Sequence, residues 1–242
     1  MQRTEGRRRL HRLSLASAAV GIVVGLVWLT TTPLFDVDSI RVDGADHTGQ
    51  QAVLDALHIK RGDALLTANI SGASRAVSRL PWVATAKVRR SWPGTVAVSI
   101  VERTPVAAVA AKKGGWVLVD SGGRQLDVSR QPAVELVRVA GLPLVPAPGV
   151  LAGPAYEGAL ALAAEIPKAL RGSIQSVWPK RDGSVDAIAI VPGGGEATVR
   201  FGTAAQLDAK LIALASVLER ADLAGVRTID LRVPNAPALT RA

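Results

Sequence analysis

The sequence predicts an α+β protein in which a single N-terminal transmembrane helix precedes a strand-helix-helix-strand-strand unit and a mainly antiparallel β domain with flanking helices. Three observations predict this class: an uncharged stretch at 13–35, two amphipathic helical patterns enclosed by alternating apolar strands before residue 105, and a predominance of strand-like runs after it. The expected organisation is a basic tail at 1–12, the transmembrane helix at 13–34, the mixed unit at 35–104, the β domain at 105–234 and a short C-terminal tail at 235–242.

The net charge of +9 is concentrated at one end of the chain. Five arginines and one glutamate give residues 1–12 a charge of +4, so the remaining residues share only +5. A phosphate-binding surface needs clustered basic side chains, and base stacking needs aromatic ones, which make up 3% of this chain. Since cysteine is absent, disulfides and thiolate metal sites are excluded. Composition therefore argues against nucleic-acid binding.

The uncharged stretch at 13–35 is long enough to cross a bilayer. As a helix it would rise about 34 Å, against a hydrocarbon core of about 30 Å. The arginines before it and the acids after it predict a cytoplasmic N-terminus. A cleaved signal peptide is the alternative, although its apolar region is usually about 7–15 residues. Ser17, Gly21 and Gly25 recur every fourth residue, which would place small side chains on one helix face and let another membrane helix pack closely there; plain lipid exposure is the alternative.

The predicted mixed unit begins with a strand containing Ile40 and Val42. Thr48 and Gln51 have the spacing of a capping box at the start of a first helix, and Asn69 is a candidate N-cap for a second. Two alternating strands then flank a turn at Trp92-Pro93-Gly94. Two helices packed on one face of a small sheet are expected.

Several segments of this unit, in this order, resemble the POTRA domain of the FtsQ/DivIB family of bacterial cell-division proteins. They are Phe35-Asp-Val-Asp-Ser-Ile40-Arg-Val42-Asp-Gly44, Leu80-Pro-Trp-Val83, Val88-Arg-Arg90, Trp92-Pro93 and Val101-Glu-Arg103-Thr-Pro105. The resemblance covers roughly residues 13–234 and is strongest at 35–105. For the Pro-Trp-Val and Glu-Arg-x-Pro pieces we favour a structural interpretation, in which Trp82 and Val83 are core residues and Glu102 and Arg103 form an ordinary solvated strand end.

In the predicted β domain, strand-like runs occur at 106–109, 116–120, 174–178, 185–191, 197–201 and 228–233. The Gly-Trp-x-Leu-x-Asp pattern at 115–120 resembles the start of the family's β domain. An irregular loop is expected at 142–154, and helices at 156–170 and 205–223. In the second helix an apolar stripe formed by Leu207, Leu211, Leu214 and Leu218 favours core packing over binding of a partner helix.

The resemblance also implies a binding site at the last predicted strand. Family members end the β domain with Asp-Leu-Arg, matched here by Asp230, Leu231 and Arg232 and followed by Val233, and FtsB docks on or near this strand. A terminal strand with an open edge can accept an extended peptide through main-chain hydrogen bonds. The alternative is that Arg232 only makes the edge more soluble.

The sequence carries no recognisable catalytic motif. The three histidines lack metal-ligand spacing, and no serine lies in a nucleophile-elbow or Ser-x-x-Lys pattern, although carboxylates from distant positions could still converge. Residues 192–195, Pro-Gly-Gly-Gly, are interpreted as a hairpin turn and not as a phosphate loop.

The family resemblance implies a non-catalytic scaffold without a cofactor. It would be anchored in the cytoplasmic membrane at the division septum and would bind FtsB, FtsL and the septal synthase FtsW/FtsI to coordinate peptidoglycan synthesis. Two other classes remain open from the residues alone. One is a POTRA-containing outer-membrane assembly or secretion factor, which would usually continue into a long β-barrel; the other is a membrane-tethered cell-wall hydrolase.

Overall fold

The computed structural model describes residues 17, 18, 20–22, 24, 36–131, 135–192 and 195–241. The described residues between 17 and 24 are helical. In this described part of the chain, no helix combines the length and the hydropathy that crossing a membrane requires. The basic tail and most of the stretch at 13–35, including Gly25, lie outside the described residues. The transmembrane helix and its packing stripe therefore remain predictions.

From residue 36 onwards the chain divides into two compact units. The proximal unit comprises the residues up to Arg79 together with Val83–Glu102, and the distal unit comprises Leu80–Trp82 with the residues from Arg103 onwards.

The proximal unit has the predicted order of strand, helix, helix, strand and strand. Its elements are β1 (Ser39–Asp43), α1 (Gln50–Leu57), α2 (Ile70–Val77), β2 (Val83–Ser91) and β3 (Thr95–Glu102). The sheet order is β1-β3-β2, in which β1 runs parallel to β3 and β2 antiparallel to it. Alternate residues of β3 are buried, as are the inner residues of both helices. This two-layer arrangement is what the apolar spacing predicts.

The two helices of the proximal unit begin in different ways. Asn69 caps α2 as predicted, because its side-chain oxygen accepts a hydrogen bond of 2.9 Å from the backbone N–H of Gly72. The capping box predicted for α1 is wrong. Gly49 occupies the N-cap without a side-chain bond, and Gln51 donates to Asp55 instead. The Thr48 hydroxyl donates to Glu102, a residue far away in sequence.

Glu102, at the end of β3, holds the turn before α1. Its carboxylate accepts hydrogen bonds from the backbone N–H and the hydroxyl of Thr48, both at 2.6 Å, and from the backbone N–H of His47 at 3.0 Å. The Nδ1 atom of His47 lies 2.9 Å from the same carboxylate. The Glu102 side chain is only 12% exposed. The expectation of an ordinary solvated strand end at this position is therefore wrong.

We expect this carboxylate to make the proximal unit sensitive to acid. Burial by itself would raise the pKa of Glu102, but the hydrogen bonds from Thr48 and His47 outweigh it and lower the pKa from 4.5 to about 2. Because the folded pKa lies below the ordinary value, the stabilisation is complete above pH 4.5 and is lost as the pH falls towards 2. Glu102→Gln should cost about 1–3 kcal/mol at neutral pH, measured by chemical unfolding of the proximal unit.

The difference in unfolding free energy between the native protein and Glu102→Gln should shrink as the pH is lowered through this window. Asp43→Asn is the matched control, since Asp43 is exposed on β1 and should give a small, nearly constant difference. A Glu102→Gln difference that stays constant down to pH 2 would contradict the role of the ionised carboxylate.

The distal unit contains nine strands and three α-helices among its described residues. The strands are β4 (Pro105–Ala111), β5 (Trp116–Asp120), β6 (Gln125–Ser129), β7 (Val137–Leu144), β8 (Ile174–Pro179), β9 (Val185–Val191), β10 (Gly195–Gly202), β11 (Val226–Asp230) and β12 (Ala238–Arg241). The helices are α3 (Glu157–Glu165), α4 (Lys168–Arg171) and α5 (Leu207–Arg220), with a 3-10 turn at Pro154–Tyr156 before α3.

The nine strands form one sheet in the order β12-β11-β10-β9-β8-β7-β4-β5-β6. The pairs β4-β7, β7-β8 and β10-β11 are parallel and the other five are antiparallel, so the sheet is mixed but mainly antiparallel, as expected. Three strands, β6, β7 and β12, were not predicted, and β7 includes the start of the segment expected to be an irregular loop. Val191 pairs with Gly195, so β9 and β10 form a hairpin, as expected, although residues 193 and 194 lie outside the described residues.

The core of the distal unit lies between the sheet and its helices. Leu207, Leu211 and Leu214 of α5 are at most 4% exposed and belong to the same buried cluster as Val199, Phe201 and Ile229 of the sheet. Three residues of the predicted stripe therefore pack in the core, as favoured, whereas the fourth, Leu218, is only partly buried against it. The predicted helix at 156–170 is interrupted at Ile166 and Pro167, because proline cannot continue the hydrogen-bond ladder.

Arg103 forms an ion pair that the sequence analysis did not predict. Its Nη1 atom lies 2.7 Å from Oδ2 of Asp120, whose side chain is 8% exposed, and Oδ1 of Asp120 accepts a 2.7 Å hydrogen bond from the backbone N–H of Arg124. The backbone N–H of Arg103 donates to the carbonyl of Trp82 at 2.7 Å. Three of the quoted motif segments, around 82, 103 and 120, thus meet in the distal unit. A core role for Val83 is confirmed, since it is fully buried in the proximal unit.

Candidate partner-binding edge of the sheet

The edge of the large sheet is formed by β12 and not by the strand predicted for this role. β11 is paired on both sides, in parallel with β10 and antiparallel with β12. The prediction of an open edge at 228–233 is therefore wrong, and that strand ends at Asp230. Within the described part of the chain, β12 has a neighbouring strand on one side only. Its outward main-chain groups are available to an extended peptide.

The four predicted site residues have three different environments. Leu231 is fully buried, and its N–H donates to the carbonyl of Arg200 at 2.9 Å, so it is a core residue. Asp230 and Arg232 pair with each other, with 2.7 Å between Oδ2 and Nη2. Val233 is 60% exposed beyond the end of β11. The structure thus brings Asp230 and Arg232 together and separates Leu231 from the surface; their role in partner binding stays a prediction.

A row of five aligned residues, three of them charged, leads across the open face of the sheet to this edge. Each residue of the row faces the next in the strand register: Trp178 of β8, Asp186 of β9, Arg200 of β10, Asp230 of β11 and Ala238 of β12. Their chain neighbours Val177, Ala187, Val199 and Ile229 are fully buried. Because side chains alternate between the two faces of a strand, the row lies on the face opposite the core.

The charges in this row alternate in sign. Lys180 pairs with Asp186 at 2.7 Å, and the Nε atom of Arg232 lies 3.0 Å from each oxygen of Asp230. The side-chain hydrogen bond from Arg232 is the largest influence on Asp230 and lowers its pKa, and the nearby charge of Arg200 lowers it further. Asp230 is therefore ionised at neutral pH. Arg200 is exposed and forms no ion pair among the described residues, so its guanidinium can donate hydrogen bonds to an external carboxylate.

Gly202 allows Arg232 to lie across the end of β10. A β-carbon at position 202 would stand 3.0 Å from Cγ of Arg232, and the glycine has a φ of +67°, which other residues rarely adopt. The backbone N–H of Arg232 also donates a hydrogen bond of 3.1 Å to Oδ1 of Asp230, which adds to the bonds between the two side chains. The Asp230–Arg232 pair is thus held in place beside the end of β10.

The described residues show no candidate metal site. No group of three or more metal-ligating side chains occurs among them. The residues missed by the sequence analysis are Lys180, Asp186 and Arg200, together with the whole of β12. Alternation within β9 and β10 could have placed Asp186 and Arg200 on the open face, but their alignment with Asp230 depends on the strand order.

The fold defines the class of protein to which the chain belongs. The family model for the FtsQ-type POTRA domain matches residues 35–103, which are the residues of the βααββ unit. The chain is thus a POTRA-domain protein with a mixed β sheet after the POTRA domain. The family model for the C-terminal part of cell division protein FtsQ/DivIB matches residues 107–232, which is more than half of the chain. The chain belongs to the FtsQ/DivIB family of cell-division proteins.

Relatives named cell division protein FtsQ agree with this assignment. The protein from Mycobacteroides abscessus is 30% identical over 229 residues, covering 93% of this chain and 67% of the relative. The protein from Streptomyces collinus is 28% identical over 252 residues, covering 98% of this chain and 90% of the relative. The protein from an Anaeromyxobacter species is 37% identical over 128 residues. That match covers 49% of this chain and 43% of the relative, so the chain spans about half the length of some relatives.

Proposed function

We propose that the protein is a non-catalytic scaffold and regulator of the division machinery. It is anchored in the cytoplasmic membrane through residues 13–34, with the N-terminus in the cytoplasm and the POTRA domain and β domain outside the membrane at the septum. Family membership supports the role in division, and the uncharged stretch behind a basic tail supports the anchor. Family membership also favours division over outer-membrane assembly or wall hydrolysis.

The proposed partner at the sheet edge is FtsB, bound as an additional strand. β12 offers main-chain donors and acceptors on its outer side, and the exposed Arg200 and the Asp230–Arg232 pair lie on the adjacent open face. Main-chain bonds would supply much of the affinity, and charged side chains would select the register of the partner. FtsL and the synthase FtsW/FtsI would join through FtsB or through other surfaces. The free edge of β12 is the observation on which this proposal depends.

Depletion of the protein in its native cell tests the proposed role in division. Blocked septation and filamentous cells are the expected result. Normal septation with loss of outer-membrane proteins would instead support an assembly factor. In a parallel assay, the purified full chain should bind an FtsB segment and leave peptidoglycan intact, and cleavage of peptidoglycan would contradict the scaffold.

A further inference from the structure

A second surface of the distal unit has the form of a groove. It is an open groove of about 640 Å³ between α5 on one side and the segment from the end of α3 through α4 on the other. Its floor and walls are largely apolar and include Leu170, Leu211, Ala215 and Leu218. These residues lie on the helical side of the sheet, whereas the row of charged residues lies on the opposite face. The groove is thus separate from the edge at β12.

The apolar surface of α5 continues from the core stripe onto an outer face of the helix. The α5 residues that line the groove, called the outer stripe, are Asp208, Leu211, Ile212, Ala215, Leu218 and Glu219. Leu211 and Leu218 also belong to the stripe that packs against the core. Their spacing of three and four residues defines one helix face that extends over most of α5, about 17 Å. Ile212, at the middle of this face, is 71% exposed. An isoleucine so exposed beside an apolar groove indicates a surface that another molecule covers.

The rim of the groove is acidic. Asp208 and Glu219 stand at the two ends of the outer stripe, and Glu165 lies on the opposite wall. All three side chains are exposed, and in the described part of the chain none forms an ion pair. Lys168 and Arg220 are near them in sequence but do not line the groove. Three carboxylates around an apolar floor, in a chain of net charge +9, favour a cationic partner.

The walls of the groove determine the kind of segment that fits. Helices satisfy their own main-chain hydrogen bonds, so α5 cannot receive a partner by strand addition. Side chains of an amphipathic helix can instead enter a groove at a spacing of three and four residues. The length of the outer stripe corresponds to about three helical turns.

We propose that this groove binds an amphipathic helix of a partner protein, with an apolar face of about three turns and basic residues on its flanks. The apolar face covers Ile212, and the basic residues reach Asp208, Glu219 and Glu165. This interface lies beyond the proposed edge interaction, and the two can be occupied at the same time because they use opposite faces of the sheet.

Two labelled helical probe peptides test this proposal with the full chain in phosphatidylcholine nanodiscs. Both peptides carry the same leucine and alanine face over about four turns, flanked by lysines in one and by glutamates in the other. Fluorescence anisotropy should show saturable binding of the lysine peptide above its binding to empty nanodiscs, and much weaker binding of the glutamate peptide. Ile212→Lys should weaken binding of the lysine peptide at least about tenfold, equivalent to about 1.4 kcal/mol.

The matched control is Leu151→Lys, because Leu151 lies in the same unit, is 64% exposed in an isolated β-bridge with Arg124 and does not line the groove. It should leave binding of the lysine peptide within about twofold of the native value, in the range expected for a surface change away from the interface. Replacing Asp208, Glu219 and Glu165 by their amides should weaken binding several-fold and flatten its salt dependence.

Equal binding of both peptides, or binding unaffected by Ile212→Lys, would overturn the proposal. So would sedimentation showing a dimer of the chain that Ile212→Lys dissociates, because the occupant would then be a second copy. Binding of the FtsB segment to the same variants is measured in parallel. If the Ile212→Lys variant still binds the FtsB segment, the edge interaction is intact. A failure of the groove proposal can then be told apart from a failure of the edge interaction.

Discussion

Proline at one of positions 239 and 240 is expected to abolish binding of the FtsB segment while leaving the distal unit folded. Successive N–H groups of a strand point to opposite sides, so either Leu239 or Thr240 directs its N–H away from β11. Proline there removes an outward donor and places its ring where the added strand would lie. Proline at the other position breaks the pairing of β12 with β11. Binding affinity and thermal unfolding, measured on both variants, distinguish the two effects.

We expect the outward proline to weaken FtsB binding by about two orders of magnitude or more, with an unchanged unfolding midpoint, since several main-chain bonds are lost together. Val128→Pro is the matched control at the opposite edge of the same sheet. The N–H of Val128 already bonds to the side chain of Asp127 at 2.7 Å, so this variant should not break the β5–β6 ladder or change FtsB binding. Undiminished binding by both β12 proline variants would contradict strand addition at β12.

Arg103→Met is expected to destabilise the distal unit by about 3 kcal/mol or more. The substitution leaves the Asp120 carboxylate, 8% exposed, without its cationic partner, and an uncompensated buried charge is costly. Asp120→Asn alone should cost less, because a neutral amide can keep the bond to the backbone N–H of Arg124. Hydrogen exchange of the strands β4 and β5, with chemical unfolding, measures the effect.

The double variant Arg103→Met with Asp120→Asn provides the control. It removes both charges, so it should recover part of the stability that Arg103→Met loses, giving a coupling energy of about 1–3 kcal/mol. Additive costs of the two single substitutions would show that the ion pair does not stabilise the unit. Lys180→Met is a useful comparison: its pair with Asp186 is about half exposed on the lysine side, and the cost should be about 1 kcal/mol or less.

The architecture of the POTRA domain could be predicted from local patterns. Ile40 and Val42 alternate in β1, Asn69 caps α2, and the strands around Trp92-Pro93 pair as a hairpin. In each case the residues that determine the element lie within or beside it. The prediction of a capping box was wrong for the opposite reason, because the Thr48 hydroxyl donates to Glu102, which is 54 residues away. Residue spacing at the start of the helix could not reveal this long-range hydrogen bond.

The candidate edge could be predicted only in part. The run Thr228-Ile-Asp-Leu-Arg-Val233 alternates like a strand and does form β11 near its start. The four residues of β12 carry one partly buried side chain, Leu239, which is too little alternation to mark a strand. Strand order decided which strand lies at the edge, and strand order is not encoded by the pattern of any one strand.

The Arg103–Asp120 ion pair and the groove beside α5 could not be predicted from the sequence for a related reason. Arg103 and Asp120 belong to separate motif segments whose contact depends on the pairing of β4 with β5. Ile212 is one apolar residue in an apolar helix, and the sequence does not distinguish it from the buried Leu211 beside it. Burial distinguishes Ile212 from the core residues of α5, and it follows from how α5 lies on the sheet.

The most direct test of strand addition is a backbone N-methylation scan of the FtsB segment, with binding to the full chain measured for each singly methylated peptide. Methylation removes one main-chain donor and leaves every side chain in place. If the segment pairs with β12, affinity should fall strongly at every second residue and little at those between, because alternate N–H groups face the sheet. Losses without this period of two, or an affinity that depends only on side-chain substitutions, would contradict binding at the free edge.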